Sequence, residues 1–217
     1  MSEPVQPAGL GESEARSRVL ATAGEHAELL EAYASVLVDR GIEWGLIGPR
    51  EGGRIWERHL LNCAGLAELV SPDARVGDVG SGAGLPGLVL AIQRPDVTVV
   101  LIESLLRRTT FLQGVVDELG LANVEVVRSR AEDLLADQAG FDVVTCRAVA
   151  GLDKLLTWCL PLLSPTGELL ALKGERARGE LAACASWLRQ EGWAGDVVPA
   201  VVADEDVTSI VRIRAAR

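Results

Sequence analysis

Hydrophobic positions along this chain change rhythm near residue 74. Before it the spacing is helical. Leu20, Leu29, Leu30, Tyr33, Val36 and Leu37 fall on one side of a helix over about 17–40, with Gly41 as its stop. Ile55, Trp56, Leu60, Leu61, Ala64, Leu66, Ala67 and Leu69 do the same over about 53–70, closed by Ser71-Pro72-Asp73. After it, short Val/Leu-rich runs alternate with amphipathic stretches. Strands are predicted over 76–79, 97–102, 124–127, 141–146, 168–172, 195–203 and 209–213, and helices over 85–93, 106–119, 152–163 and 177–191.

Strands buried on both faces, with helices between them, predict a mostly parallel sheet covered on both sides. The last two strands have only 204–208 between them, which predicts an antiparallel hairpin. The expected fold is therefore α/β and Rossmann-like, of the class I methyltransferase type. It comprises a seven-stranded sheet ending in an antiparallel C-terminal hairpin, preceded by an N-terminal helical extension. Three regions are expected: a flexible tail over 1–16, the helical extension over 17–73 and a ligand-binding domain over 74–217.

Composition narrows the class. With 48% hydrophobic and 24% charged residues, the 217-residue chain can bury a substantial core. No apolar run approaches the roughly 20 residues of a membrane span, and the N-terminus lacks the basic-then-apolar order of a signal peptide. A cytoplasmic monomer is expected. The four cysteines form no C-x-x-C and the only histidines are His26 and His59, so no metal site is expected. A net charge of −10 argues against nonspecific coating of nucleic acid. It leaves room for local contacts by a few cations. Arg50, Arg54 and Arg58 form one basic stripe if Gly53 does not break their helix, with His59 beside them.

The run Asp78-Val-Gly-Ser-Gly-Ala-Gly-Leu-Pro-Gly87 joins the first strand to a helix, where a glycine turn lets a ligand approach bare backbone. Gly82, Gly84 and Gly87 match the dinucleotide fingerprint. Gly80, Gly82 and Gly84, preceded by Asp78, equally match the loop of S-adenosylmethionine enzymes. Pro86 favours the second reading, because it removes an amide that a pyrophosphate would use. Asp78 favours it as well, because it repels phosphate and attracts a cationic ligand. Two further acidic sites follow at strand ends, where open parallel sheets bind ligands. Glu103 suits two ribose hydroxyls, since a carboxylate accepts both hydrogen bonds. Glu132-Asp133 suits an adenine amino group or caps a helix. The fourth strand ends at Cys146-Arg147-Ala148, with no general base and no Pro-Cys nucleophile. An acceptor with a free lone pair, such as guanine N7, needs neither, and alignment alone contributes about 7–11 kcal/mol.

The segments RHLLN (58–62), DVGSGAGLPGLVLAI (78–92), LIESLLRRTTFL (101–112), VVRSRAEDL (126–134), FDVVTCRAVAGL (141–152) and LLALKGE (169–175) resemble the bacterial 16S rRNA guanine-N7 methyltransferase family, the glucose-inhibited division protein B group. The resemblance implies methyl transfer from S-adenosylmethionine to N7 of one guanosine in the 530 loop, with 16S rRNA or the small ribosomal subunit as partner. It places cofactor contacts on Gly80, Leu85, Ala131, Glu132 and Arg147, with the ribose on Glu103. Arg147 then has a positioning role, and Asp78, Gly82 and Gly84 complete the cofactor loop. Lys173, Arg107 and Arg108 are the candidates for RNA phosphates, with Arg54, Arg58 and His59 as secondary ones. A non-catalytic RNA-binding assembly factor and an NAD-dependent oxidoreductase are the alternatives.

Overall fold

A computed structural model describes residues 11–134 and 139–216. Seven strands form one sheet in the order β3-β2-β1-β4-β5-β7-β6. They are β1 (Arg75–Val79), β2 (Thr98–Glu103), β3 (Val124–Arg128), β4 (Phe141–Arg147), β5 (Leu163–Leu172), β6 (Trp193–Val202) and β7 (Glu205–Ala215). The pairs from β3 to β5 are parallel, and β7 pairs antiparallel with both β5 and β6. This is the mostly parallel sheet with a terminal hairpin that the hydrophobic rhythm predicts. Strand order reverses beside β1, so a crevice opens between the carboxyl ends of β1 and β4.

The helices are α1 (Glu12–Ala23), α2 (Ala27–Val36), α3 (Leu61–Ala64), α4 (Gly87–Gln93), α5 (Leu106–Leu119), α6 (Leu152–Cys159) and α7 (Ala177–Gln190). Two apolar clusters hold them against the sheet. α1, α2, α3, α4 and α5 cover one face, and α6 and α7 cover the other. Every residue of α4 is buried, because it packs under the N-terminal helices as well as on the sheet.

The N-terminal region departs from its expected outline. Residues 1–10 of the segment expected as a tail lie outside the described residues, and in its remainder helix begins at Glu12, because Ala15 and Val19 are fully buried. The Glu12 carboxylate also accepts the backbone N–H groups of Trp56 and Glu57, both at 3.0 Å, and so supports the start of the second helical segment. A single helix over 17–40 is not formed. Gly24, at φ 53°, ends α1, and a 3₁₀ turn Gly24–His26 redirects the chain into α2. Beyond α2 a π turn, Leu37–Gly41, carries helical structure past the expected stop at Gly41. The segment expected over 53–70 is likewise composite, with a 3₁₀ turn Gly52–Arg54, a π turn Trp56–Leu60, α3 and a second 3₁₀ turn Ala67–Leu69. Arg50 lies in a turn before this segment, so the Arg50/Arg54/Arg58 stripe does not form.

Candidate active site

The crevice holds two adjoining clefts. The first, of about 600 Å³, is lined by the β1 loop (79–83 and Leu85), the end of β2 (Ile102, Glu103), the turn after β3 (129–132) and the loop after β4 (147–149). The second, of about 660 Å³, lies between the loop after β4, the end of β5 and the segment carrying Glu51, Arg58 and Asn62. His59, Arg147, Ala148 and Val149 line both, so they form the shared wall.

The first cleft is built on a loop with three left-handed glycines, Gly80 (φ 71°), Gly82 (φ 58°) and Gly84 (φ 101°). They have different jobs. A Cβ on Gly82 would meet nothing nearer than a backbone oxygen at 3.8 Å, so this position presents bare backbone to the cleft. A Cβ on Gly84 would sit 2.3 Å from Leu88 Cδ1 and 2.9 Å from Tyr33 Oη, and Gly84 does not line the cleft. Gly84 is thus a packing glycine rather than a contact. The Tyr33 hydroxyl donates to the Ala83 carbonyl at 2.9 Å, fixing the loop from behind through α2.

Asp78 also lies behind the loop. Its side chain is fully buried, its Oδ2 accepts the Gly87 N–H at 3.0 Å, and it does not line the cleft. The attraction to a cationic ligand expected of Asp78 is replaced by support of the turn into α4. Burial pushes this carboxyl up to about 7. Glu103 does reach the first cleft. Its Oε2 accepts from Gly82 N and Arg108 Nη1, both at 3.2 Å, and its Oε1 accepts from Leu105 N at 3.0 Å. Glu103 is only 3% exposed, so its carboxylate is held in position by these donors. Leu85, Ala131 and Glu132 line the same cleft.

At the shared wall Arg147 reaches across from β4 to the π turn. Its Nη1 donates to the His59 carbonyl (3.2 Å) and to Cys63 Sγ (3.3 Å). Its Nη2 donates to the Arg58 carbonyl at 3.0 Å and to His59 Nδ1 at 2.9 Å. A π turn displaces carbonyls from the regular α-helical ladder, and here two of them meet one guanidinium. Because Arg147 can only donate, Nδ1 is the acceptor and Nε2 carries the proton, which it donates to Glu51 Oε2 at 3.1 Å. Burial and the neighbouring Arg147 lower the His59 pKa below its ordinary value, which keeps the ring neutral.

Lys173, expected at RNA phosphates, lines the second cleft with a side chain only 6% exposed. It donates to the Ala150 carbonyl at 2.6 Å and pairs with Glu180 at 2.8 Å. Glu180 in turn accepts the Leu152 N–H at 2.9 Å. Together they clamp the loop after β4, in which Ala148 adopts a left-handed backbone (φ 55°) that a non-glycine residue leaves unless held. The remaining cations are outside this clamp. Arg54 pairs with Glu57 and Arg58 with Glu51 on the surface, Arg107 stacks over Trp44 with 5.8 Å to the ring, and Arg108 lines the first cleft. Arg54 and Arg107 line neither cleft.

Several contributors were not anticipated from sequence. Leu46 and Ile47 wall the first cleft from the N-terminal region, Trp158 walls it from α6, and Glu51 lines the second. The apolar pair Leu46-Ile47 between two helical segments was the available signal for the first two.

The family model described as rRNA small subunit methyltransferase G matches residues 26–206. A protein of that name from Nocardioides sp. is 52% identical over 192 residues, covering 88% of this chain and 76% of the relative. One from Salinispora arenicola is 50% identical over 202 residues, covering 89% and 84%. Among solved structures, M. jannaschii TYW2 in complex with AdoMet aligns with a TM-score of 0.55 at 17% identity, covering 72% of this chain and 74% of that one. The O-methyltransferase NcsB1 in complex with S-adenosylmethionine aligns with a TM-score of 0.57 at 21% identity, covering 70% and 52%. These two likenesses concern the fold.

Proposed function

Because this chain belongs to the rRNA small subunit methyltransferase G family, we propose that it methylates N7 of one guanosine in the 530 loop of 16S rRNA. It is an S-adenosylmethionine-dependent methyltransferase with rRNA as its substrate. The observation that carries the N7 assignment is the shared wall. Both nitrogens of its histidine are engaged, Nδ1 by Arg147 and Nε2 by Glu51, so among the described residues the shared wall itself offers no free general base. Guanine N7 carries a lone pair and loses no proton when it is alkylated, so it needs none.

The first cleft fits the cofactor by its chemistry. Gly82 offers backbone without a side chain, Glu103 offers a fixed carboxylate to ribose hydroxyls, and Leu46, Ile47 and Trp158 offer apolar walls. When bound there, S-adenosylmethionine supplies an electrophilic methyl group on a sulfonium. Gly80, Gly82, Leu85, Glu103, Ala131 and Glu132 are the residues we assign to holding it. Arg147 is a positioning residue: it ties the end of β4 to the π turn and so sets the width of the shared wall. The second cleft takes the acceptor base, with Arg58 and Arg176 toward the RNA backbone. The residues supply orientation, which is the main contribution to such a transfer.

No helix among the described residues is long and apolar enough to cross a membrane. We read the protein as a cytoplasmic monomer. The deciding experiment is transfer of labelled methyl from S-adenosylmethionine to small subunits, and to their purified RNA, from a strain lacking this gene. A single N7-methylguanosine mapped to the 530 loop is expected. Label at another atom or in another loop would overturn the assignment.

A further inference from the structure

The second cleft contains one carboxylate, Glu51, and the acceptor's chemistry gives it a task. N7 of guanine lies on one side of the purine, and the N1–H and N2–H₂ donors lie on the opposite side. A guanine whose N7 faces the wall shared with the first cleft therefore turns its donor edge toward walls that only the second cleft possesses. Those walls are formed by Glu51, Arg58, Asn62, the Ala150–Gly151 backbone, 172–174, Arg176 and Thr208. Glu51 is the sole acid among them. Its Oε1 accepts from Arg58 Nη1 at 3.2 Å and its Oε2 from His59 Nε2 at 3.1 Å. A carboxylate has about four acceptor sites, so capacity for two further donors remains. Arg58 and the His59 ring also fix its orientation.

We propose that Glu51 reads the acceptor base, accepting hydrogen bonds from N1–H and N2–H₂ and so selecting guanine over purines that lack the second donor. Adenine fails this test twice, because its N1 is an acceptor and it has no amino group at C2. Inosine fails it once: it keeps N7, O6 and N1–H and loses only the N2 amino group. The inference rests on the second cleft being the acceptor site for N7 methylation.

The test uses the full chain with 16S RNA rebuilt by ligation to carry guanosine or inosine at the methylated position, the two competing in one reaction. The expected kcat/KM preference of the parent protein for guanosine is about tenfold or more, from the loss of one hydrogen bond to a charged acceptor. In Glu51→Gln the preference falls to within about twofold. Arg58→Ala, which disturbs the same cluster and keeps the carboxylate, lowers activity on both substrates and retains the preference. S-adenosylmethionine affinity, measured by calorimetry, stays unchanged in Glu51→Gln. Equal use of guanosine and inosine by the parent protein overturns the proposal without any variant. A preference that survives in Glu51→Gln overturns it as well, and locates the selection elsewhere. Failure of the parent to make N7-methylguanosine in either RNA is a separate result, which removes the functional assignment beneath it.

Discussion

Asp78 sets the clearest test at the scale of single residues. Its Oδ2 accepts the Gly87 N–H while its Oδ1 is buried without a hydrogen-bond partner. Burial raises the carboxyl from 3.8 to about 7. A raised acid binds more protons in the folded chain than in the unfolded one between these two values, so stability falls as pH rises from about 4 to about 7 and then levels off. Asp78→Asn keeps an acceptor for Gly87 and removes the charge. At pH 8 it is expected to stabilise the fold by an amount of order a few kcal/mol over the parent, read as a higher melting temperature, and the advantage should vanish by pH 4. Thermal melts across pH decide it; an offset independent of pH would mean that the buried charge is not the cause. The same variant should bind S-adenosylmethionine within about threefold of the parent, since Asp78 does not line the cleft.

Gly82 and Gly84 separate binding from folding. Aspartate tolerates the left-handed region better than most residues, and the space around a Cβ at position 82 is open. Gly82→Asp should therefore fold, yet place a second carboxylate beside Glu103 in the first cleft. At least a hundredfold loss of cofactor affinity is expected by calorimetry, with a melting temperature near the parent's. Gly84→Ala should do the reverse. Its Cβ would press on Leu88 and on the Tyr33 hydroxyl at φ 101°, and overpacking of this kind costs about 1–3 kcal/mol. Normal affinity in Gly82→Asp would dismiss the loop as the cofactor's seat.

Between elements, the N-terminal helices act on the site from behind. Tyr33 on α2 is fully buried, and its hydroxyl is 2.9 Å from the carbonyl of Ala83 in the β1 loop. Tyr33→Phe leaves that carbonyl unsatisfied at a cost of about 1–3 kcal/mol. Because the loss falls on the loop that presents Gly82, S-adenosylmethionine affinity should weaken severalfold along with the melting temperature. A change in melting temperature alone would confine Tyr33 to packing. The strands were legible because a sheet buried on both faces writes itself as runs of Val and Leu, and β1 through β4 lie within a residue or two of their predicted positions. The glycine loop and Glu103 were legible because topology places ligand sites at strand ends. Arg147 and Lys173 were legible only as positions. Their partners, the Arg58 and His59 carbonyls and Glu180, come from other elements, and those pairings decide that one ties the shared wall and the other clamps a loop. The breaks in the N-terminal helices escaped because helical spacing persists through 3₁₀ and π turns, so hydrophobic periodicity alone does not register them.

At the scale of the whole molecule, a chain of net charge −10 must bind a polyanion. The resolution lies in which cations remain available at the clefts. Arg147 and Lys173 line the second cleft but are engaged within the protein, and Arg108 is engaged with Glu103 in the first, whereas Arg58 and Arg176 line the second cleft with exposed side chains. Arg176 is 82% exposed, and its contact with Glu180 is a long 3.8 Å. Exposed pairs of this kind are worth little, so its charge is free to meet a phosphate. Two such contacts to single-stranded RNA would give a slope of log affinity against log salt of about −1.4, at roughly 0.7 per phosphate. Arg176→Ala should reduce the slope by about 0.7 and weaken RNA binding without changing cofactor affinity. Lys173→Ala would share the loss of activity but not the change in slope, because its ammonium is held by Glu180 and the Ala150 carbonyl. Filter binding of the 530-loop RNA over a range of potassium chloride measures both. A slope near zero in the parent would mean that the base and its hydrogen bonds, rather than the arginines at the cleft rims, hold the RNA against the protein's overall negative field.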